Sequence, residues 1–100
     1  MGLWDLLGGK KKKVAAFLEK DAVIIDVRNP DEYKQGHIPG ARNIPLPKIG
    51  GQAKKLKKEG KPIILCCASG MRSGQATRVL EQQGLECLNG GGWSSLARMV

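Results

Sequence analysis

The sequence predicts an α/β fold: a single domain in which a mostly parallel sheet is flanked by helices on both faces. Three observations carry this. Two apolar, β-branched runs, Ala22 to Val27 and Pro62 to Cys66, lack the alternation of a half-exposed strand and read as strands buried on both faces. Between and beyond them, apolar residues recur at helical spacing. Glycines at positions 36, 60 and 84 close those helical stretches, as a left-handed residue closes many helices. Strands that alternate with helices build a parallel sheet, and ligands of such sheets bind beyond the carboxyl ends of the strands.

The elements follow in order. Val14, Phe17 and Leu18 mark a helix from Val14 to Lys20, ahead of the first buried strand. Asn29-Pro30-Asp31-Glu32 supplies a cap, a proline at the first helical position and early acidic residues, so a short helix runs from there to Gly36. His37 to Ala41 is loop by its Pro and Gly, and Asn43-Ile44-Pro45 is at most a brief strand. A longer helix begins near Pro47 and stops at Gly60, with Ile49, Ala53 and Leu56 on one face and four lysines on the others. After the second buried strand comes a helix from Arg72 to Gln83 that turns Ala76, Val79 and Leu80 inward. Leu85 to Leu88 is a last short strand, and three glycines lead to Trp93 and a terminal helix ending near Arg98. Residues 1–13 form a lysine-rich segment set apart from a domain over residues 14–100.

One hundred residues support one compact domain, so any site lies inside a single fold. The net charge of +8 is local. Removing the clusters Lys10 to Lys13 and Lys54, Lys55, Lys57 and Lys58 leaves basic and acidic residues balanced at nine each. With few aromatics for stacking on bases and no recognition motif, nucleic acid is not an expected partner. Cys66, Cys67 and Cys87 form an odd set without CxxC spacing, and His37 is the one histidine, so neither a disulfide framework nor a metal site is indicated. The start MGLWDLLGG places its lysines after the apolar stretch, the reverse of a secretory signal, which makes the cytoplasm the expected location. Position 6 is Leu rather than the Ser or Thr of a myristoylation signal at Gly2. Leu3, Trp4, Leu6 and Leu7 could touch a membrane surface, but packing or fraying is the plainer reading and no stable membrane association is expected.

The chemistry concentrates in ILCCASGMRSGQA, where a cysteine ends a buried strand and a Gly-containing turn opens a helix. Strand side chains alternate between faces, so Cys66 packs into the core while Cys67 begins the loop. A thiol there lies under loop amides and the positive end of a helix, and both favour thiolate. The amides from Ala68 through Ser69, Gly70, Met71 and Arg72 to Ser73 are placed to hold an anion, Gly70 permits the tight curvature, and Arg72 adds positive charge at the mouth. Elsewhere the plainer readings come first. His37 ties down its own loop, Asp26 and Arg28 pair at a strand end with Glu32 as a further partner, Cys87 is buried in a strand, and Trp93 plugs the core.

DAVIIDVRNPDEYKQGHIPGARNIPL, KPIILCCASGMRSGQA and LNGGGW, in that order from about Ala22 to Trp93, closely resemble single-domain members of the rhodanese family. The resemblance implies a sheet of about five parallel strands, an active-site loop from Cys67 to Arg72, and a ping-pong sulfurtransferase without metal or organic cofactor. In it Cys67 takes sulfane sulfur from thiosulfate or a persulfide and passes it to cyanide, a thiol or a sulfur-relay protein. A monomer is the default. The family's opening strand falls where this chain has Gly-Gly and four lysines, so that strand is short or missing here. Two alternatives stay open. Counted from Cys66, the loop spells the C-x5-R of the related phosphatases and arsenate reductases, and rhodanese-like folds also serve as noncatalytic docking modules.

Overall fold

The computed structural model describes residues 3–100, with side chains from Gly9 onward. The readings for Gly2 and for the side chains of Leu3, Trp4, Leu6 and Leu7 lie outside the described residues. The chain forms α1 (Leu3–Glu19), β1 (Val23–Asp26), α2 (Pro30–Gln35), β2 (Arg42–Asn43), α3 (Leu46–Ile49) and a 3-10 turn (Gly50–Gln52). It continues through α4 (Ala53–Glu59), β3 (Ile63–Cys67), α5 (Met71–Gln82), β4 (Cys87–Gly92) and α6 (Trp93–Ala97). All strand pairs are parallel, in the order β2-β1-β3-β4.

Among the described residues, four strands stand where the resemblance implies five. In place of an opening strand, α1 runs through the glycines and lysines into the helix expected from Val14. Lys11, Lys12 and Lys13 are exposed while Val14 is buried. A helix holds three successive ammonium groups in water and still buries the next apolar residue, whereas a strand would aim alternate lysines at a core. Among the described residues no helix is long and apolar enough to cross a membrane.

β3 is central and buried at every residue, and its alternation divides the core. Ile63, Leu65 and Cys67 pack with Ile25, Val27, Ile49, Ala53, Leu56, Ala76 and Leu80, beneath α3, α4 and α5. Ile64 and Cys66 pack on the other face with Val14, Ile38, Ala41 and Leu96, beneath α1 and α6. The single helix expected from Pro47 to Gly60 is broken in two, because Gly50 and Gly51 tighten the chain to a 3-10 turn that still buries Ile49, Ala53 and Leu56.

The glycines after Leu88 are strand rather than connection. Leu65 pairs with Asn89 and Cys66 with Gly91, so Gly90 is the extra residue of a bulge. A Cβ at Gly90 would lie 2.9 Å from each of the Ile64 side chain, the Leu65 carbonyl oxygen and the Leu96 side chain. Only glycine lets β4 close on β3 at this level, beside the end of the strand that carries Cys67.

At the end of β1, the buried carboxylate of Asp26 accepts from the Arg28 backbone N–H at 3.0 Å and from its guanidinium at 2.7 to 3.1 Å. Arg28 also donates to the Gly36 carbonyl at 2.6 Å and lies 4.9 Å from the Trp93 ring centroid. Asn43 donates to the carbonyls of Asp26 and Arg28 at 3.0 and 2.9 Å. The ion pair thus ties the loop after β1 to Gly36 at the end of α2 and to Trp93 after β4, while Asn43 of β2 holds the same loop by its carbonyls.

Candidate active site

Cys67 is the last residue of β3, paired with Gly92, and is 0% exposed. Gly70 turns the chain with φ 100° and ψ −8°, a left-handed conformation that costs an L side chain about 1–2 kcal/mol. A Cβ there would also meet the Gly91 Cα at 3.2 Å. The turn brings amides back over the sulfur. Gly70 N–H donates to Cys67 Sγ at 2.9 Å and Ser73 N–H at 3.4 Å, and the Ser73 hydroxyl lies 3.3 Å away. The first turn of the twelve-residue helix α5 stands behind these groups with its positive end toward the sulfur.

Burial alone would push the Cys67 thiol up. The Ser73 hydroxyl and the amides of Ser73, Gly70 and Ser69 outweigh it and hold the thiol below its ordinary value. Hydrogen bonds to a charged group are worth about 1.5–3 kcal/mol each, so several of them offset a desolvation cost of several kcal/mol. Cys66, one residue earlier and equally buried, receives no such donors among the described residues. Its thiol is pushed up to about 12, first by burial and then by Asp26.

The other candidate residues separate by position. Ala68, Ser69 and Met71 are exposed at the rim, Met71 by 76%. The Arg72 guanidinium is turned to Glu32, with bidentate bonds of 2.7 and 3.0 Å. Those bonds, with the Asn29 N–H, lower the Glu32 carboxyl to about 2. The charge foreseen at the mouth is therefore already partnered. His37 is exposed, stacks on Tyr33 at 3.7 Å and places Nδ1 2.8 Å from the Tyr33 carbonyl oxygen, which ties it to its own loop. Cys87 pairs with Ile63 at the opposite end of β3, about 13 Å from the Cys67 level at 3.3 Å per residue, too far for a resolving thiol. Its thiol is pushed up to about 12 by burial, with Glu81 and Glu86 adding to it.

Sequence reasoning missed Asn89. Its side chain donates to the Gly70 carbonyl at 3.0 Å and accepts from the Ser73 hydroxyl at 2.7 Å and the Gly91 N–H at 3.0 Å. One amide therefore clamps the loop, the start of α5 and the β4 bulge. An asparagine before a glycine run reads as a turn residue, whereas its pairing with Leu65, on the Cys67 face of β3, brings it over the site.

A groove of about 410 Å³ lies beside β2 and α4, lined among others by Arg42, Asn43, Lys48, Lys55 and Glu59, with no residue of the cysteine loop. The amide donors converge instead under the loop, on the Cys67 sulfur.

Fold and loop together define an α/β protein with a thiol at the carboxyl end of its central parallel strand, under converging amides. The chain belongs to the Rhodanese-like domain family, whose model matches residues 10–98. It is 42% identical over 65 residues to the uncharacterized protein YqhL of Bacillus subtilis, covering 65% of this chain and 51% of that one. It is 41% identical over 63 residues to the putative sulfur carrier protein YrkF of the same organism, covering 63% and 34%. The thiosulfate sulfurtransferase PspE of Escherichia coli is 36% identical over 75 residues, covering 73% and 72%. The match thus spans about half of YqhL and a third of YrkF. Among solved structures, a rhodanese-related protein from Thermoplasma volcanium superposes with a TM-score of 0.72 at 29% identity, covering 88% of this chain and 87% of that one.

Proposed function

We propose that this protein is a sulfurtransferase that carries sulfane sulfur on Cys67. The supporting observation is the convergence of the Gly70 and Ser73 amides on Cys67 Sγ, which holds a buried sulfur toward its anionic form. The thiolate attacks the outer sulfur of thiosulfate. A bond forms between Sγ and that sulfur, the S–S bond of thiosulfate breaks, and sulfite leaves with the electron pair. The outer sulfur of the resulting persulfide carries the negative charge within reach of the loop amides. An acceptor then attacks it: cyanide leaves as thiocyanate, or a thiol leaves as a persulfide, and the electron pair returns to Cys67. A persulfide donor enters by the same steps with a thiolate as leaving group. Because Cys67 is closed off, the loop must part as the donor enters, and the exposed residues Ala68, Ser69 and Met71 are the segment that opens.

The same geometry favours Cys67 over Cys66. A C-x5-R site needs the Cys66 thiolate in the loop, whereas that side chain lies in the apolar cluster across the sheet. The resemblance to a sulfur carrier supports a protein thiol as the acceptor in the cell. Three free thiols suit a reducing, cytoplasmic setting.

The test is intact-mass spectrometry after incubation with thiosulfate, followed by cyanide. One added sulfur, recovered as thiocyanate and absent from Cys67→Ser, is the expected result. Failure of the wild type to load, with a Cys66-dependent hydrolysis of an aryl phosphate or reduction of arsenate, would replace this reading. Failure of all three would leave a docking module.

A further inference from the structure

Asn89 can be oriented in only one way. Its Nδ2 must face the Gly70 carbonyl and its Oδ1 the Gly91 N–H, because a carbonyl can only accept and a backbone N–H can only donate. Oδ1 therefore faces the Ser73 hydroxyl at 2.7 Å and must receive its proton. A serine hydroxyl has one proton to give. While Asn89 holds it, Ser73 offers Cys67 a lone pair at 3.3 Å, and the bond that fits is from the thiol S–H to Ser73 Oγ. That arrangement satisfies the neutral thiol. When Cys67 loses its proton to solvent, the hydroxyl must rotate from Oδ1 to Sγ, leaving Oδ1 with the Gly91 N–H.

We infer that Asn89 is a positioning residue that sets the ionisation of Cys67 by competing with its sulfur for the single hydroxyl proton of Ser73. The inference deepens the proposed function, since it concerns the same thiol. It makes the thiol less acidic than the amides together with an unengaged Ser73 hydroxyl would. The site then holds a reserve, for a thiol of lower pKa is also a weaker nucleophile.

The charged and titratable groups around Cys67 are the same whichever way the hydroxyl points. Arg72 of α5 is paired with Glu32 of α2, and Asp26 of β1 with Arg28. Cys66 lies on the opposite face of β3, and Lys10 of α1 lies against Gly91 of β4. The nearest side chains of α3 and α4 in this core are the apolar Ile49, Ala53 and Leu56.

The test is a pH titration of the Cys67 thiolate by its ultraviolet absorbance, taken as the difference from Cys67→Ser. It reads ionisation whether or not sulfur is transferred, so its failure and that of the proposed function are separable. Asn89→Ala should shift the titration to lower pH, raising the thiolate fraction below the midpoint roughly threefold or more. Asn89→Asp, which keeps an acceptor for Ser73 and adds charge, should shift it to higher pH. In a Ser73→Ala background, Asn89→Ala should no longer lower the midpoint. Should both substitutions at position 89 move the midpoint the same way, or Asn89→Ala lower it equally without the Ser73 hydroxyl, Asn89 acts as a loop clamp alone and the inference is wrong.

Discussion

Cys66 and Cys67 are neighbours on one strand, both fully buried, and their thiols move in opposite directions. Cys66 faces Val14, Ile38, Ala41, Ile64 and Leu96, where burial and the nearby Asp26 carboxylate both disfavour thiolate. Cys67 faces the start of α5, where amides and a hydroxyl reach its sulfur. Burial is common to both and cannot explain the difference. Donor geometry decides, and a single residue of strand alternation selects which cysteine receives it.

The sharpest way to break this comparison is to remove each thiol in turn. Cys67→Ser should reduce sulfur loading roughly a thousandfold or more, while Cys66→Ser should leave it within a few-fold, as measured by mass spectrometry and thiocyanate release. Next in size is Gly70→Ala. The positive φ and the 3.2 Å approach to Gly91 should cost about 1–3 kcal/mol in denaturant unfolding and move the Cys67 titration up, toward that of an ordinary thiol.

The two cysteines also predict opposite pH linkage. Cys66 is raised in the folded state, so its contribution is fully present below the ordinary thiol value and is lost as pH rises toward about 12. Cys67 is lowered, so it contributes above the ordinary thiol value, and that stability is lost as pH falls through its folded value. Cys66→Ala should accordingly flatten the alkaline loss of stability by about 1.4 kcal/mol per pH unit, read from unfolding midpoints at alkaline pH. The smallest expected effect is that of Glu32→Gln. Releasing the Arg72 charge should lower KM for thiosulfate roughly twofold to fivefold at low salt, an effect that added salt erases.

Much of this arrangement was legible in order along the chain. The buried runs around Ile25 and Leu65, the stops at Gly36 and Gly60, and the inward Ala76 and Leu80 follow from local periodicity and backbone freedom, which a sequence carries directly. Strand alternation likewise separates Cys66 from Cys67 before any coordinates are seen. The loss of the family's opening strand was legible in the Gly-Gly and four lysines at its place, but that a helix runs through them was not. The break at Gly50 and Gly51 was hidden by an apolar spacing that reads as continuous across it.

By itself, then, the sequence determined the alternation of strands and helices, the position of the cysteine and the glycine that turns the loop, since each depends on residues close in the chain. The tertiary structure alone decided that Arg72 pairs with Glu32 and that Asn89, set beside Leu65 by strand pairing, holds Ser73. Those contacts join residues 40 and 16 positions apart, and no local pattern encodes which distant side chains meet once the sheet closes.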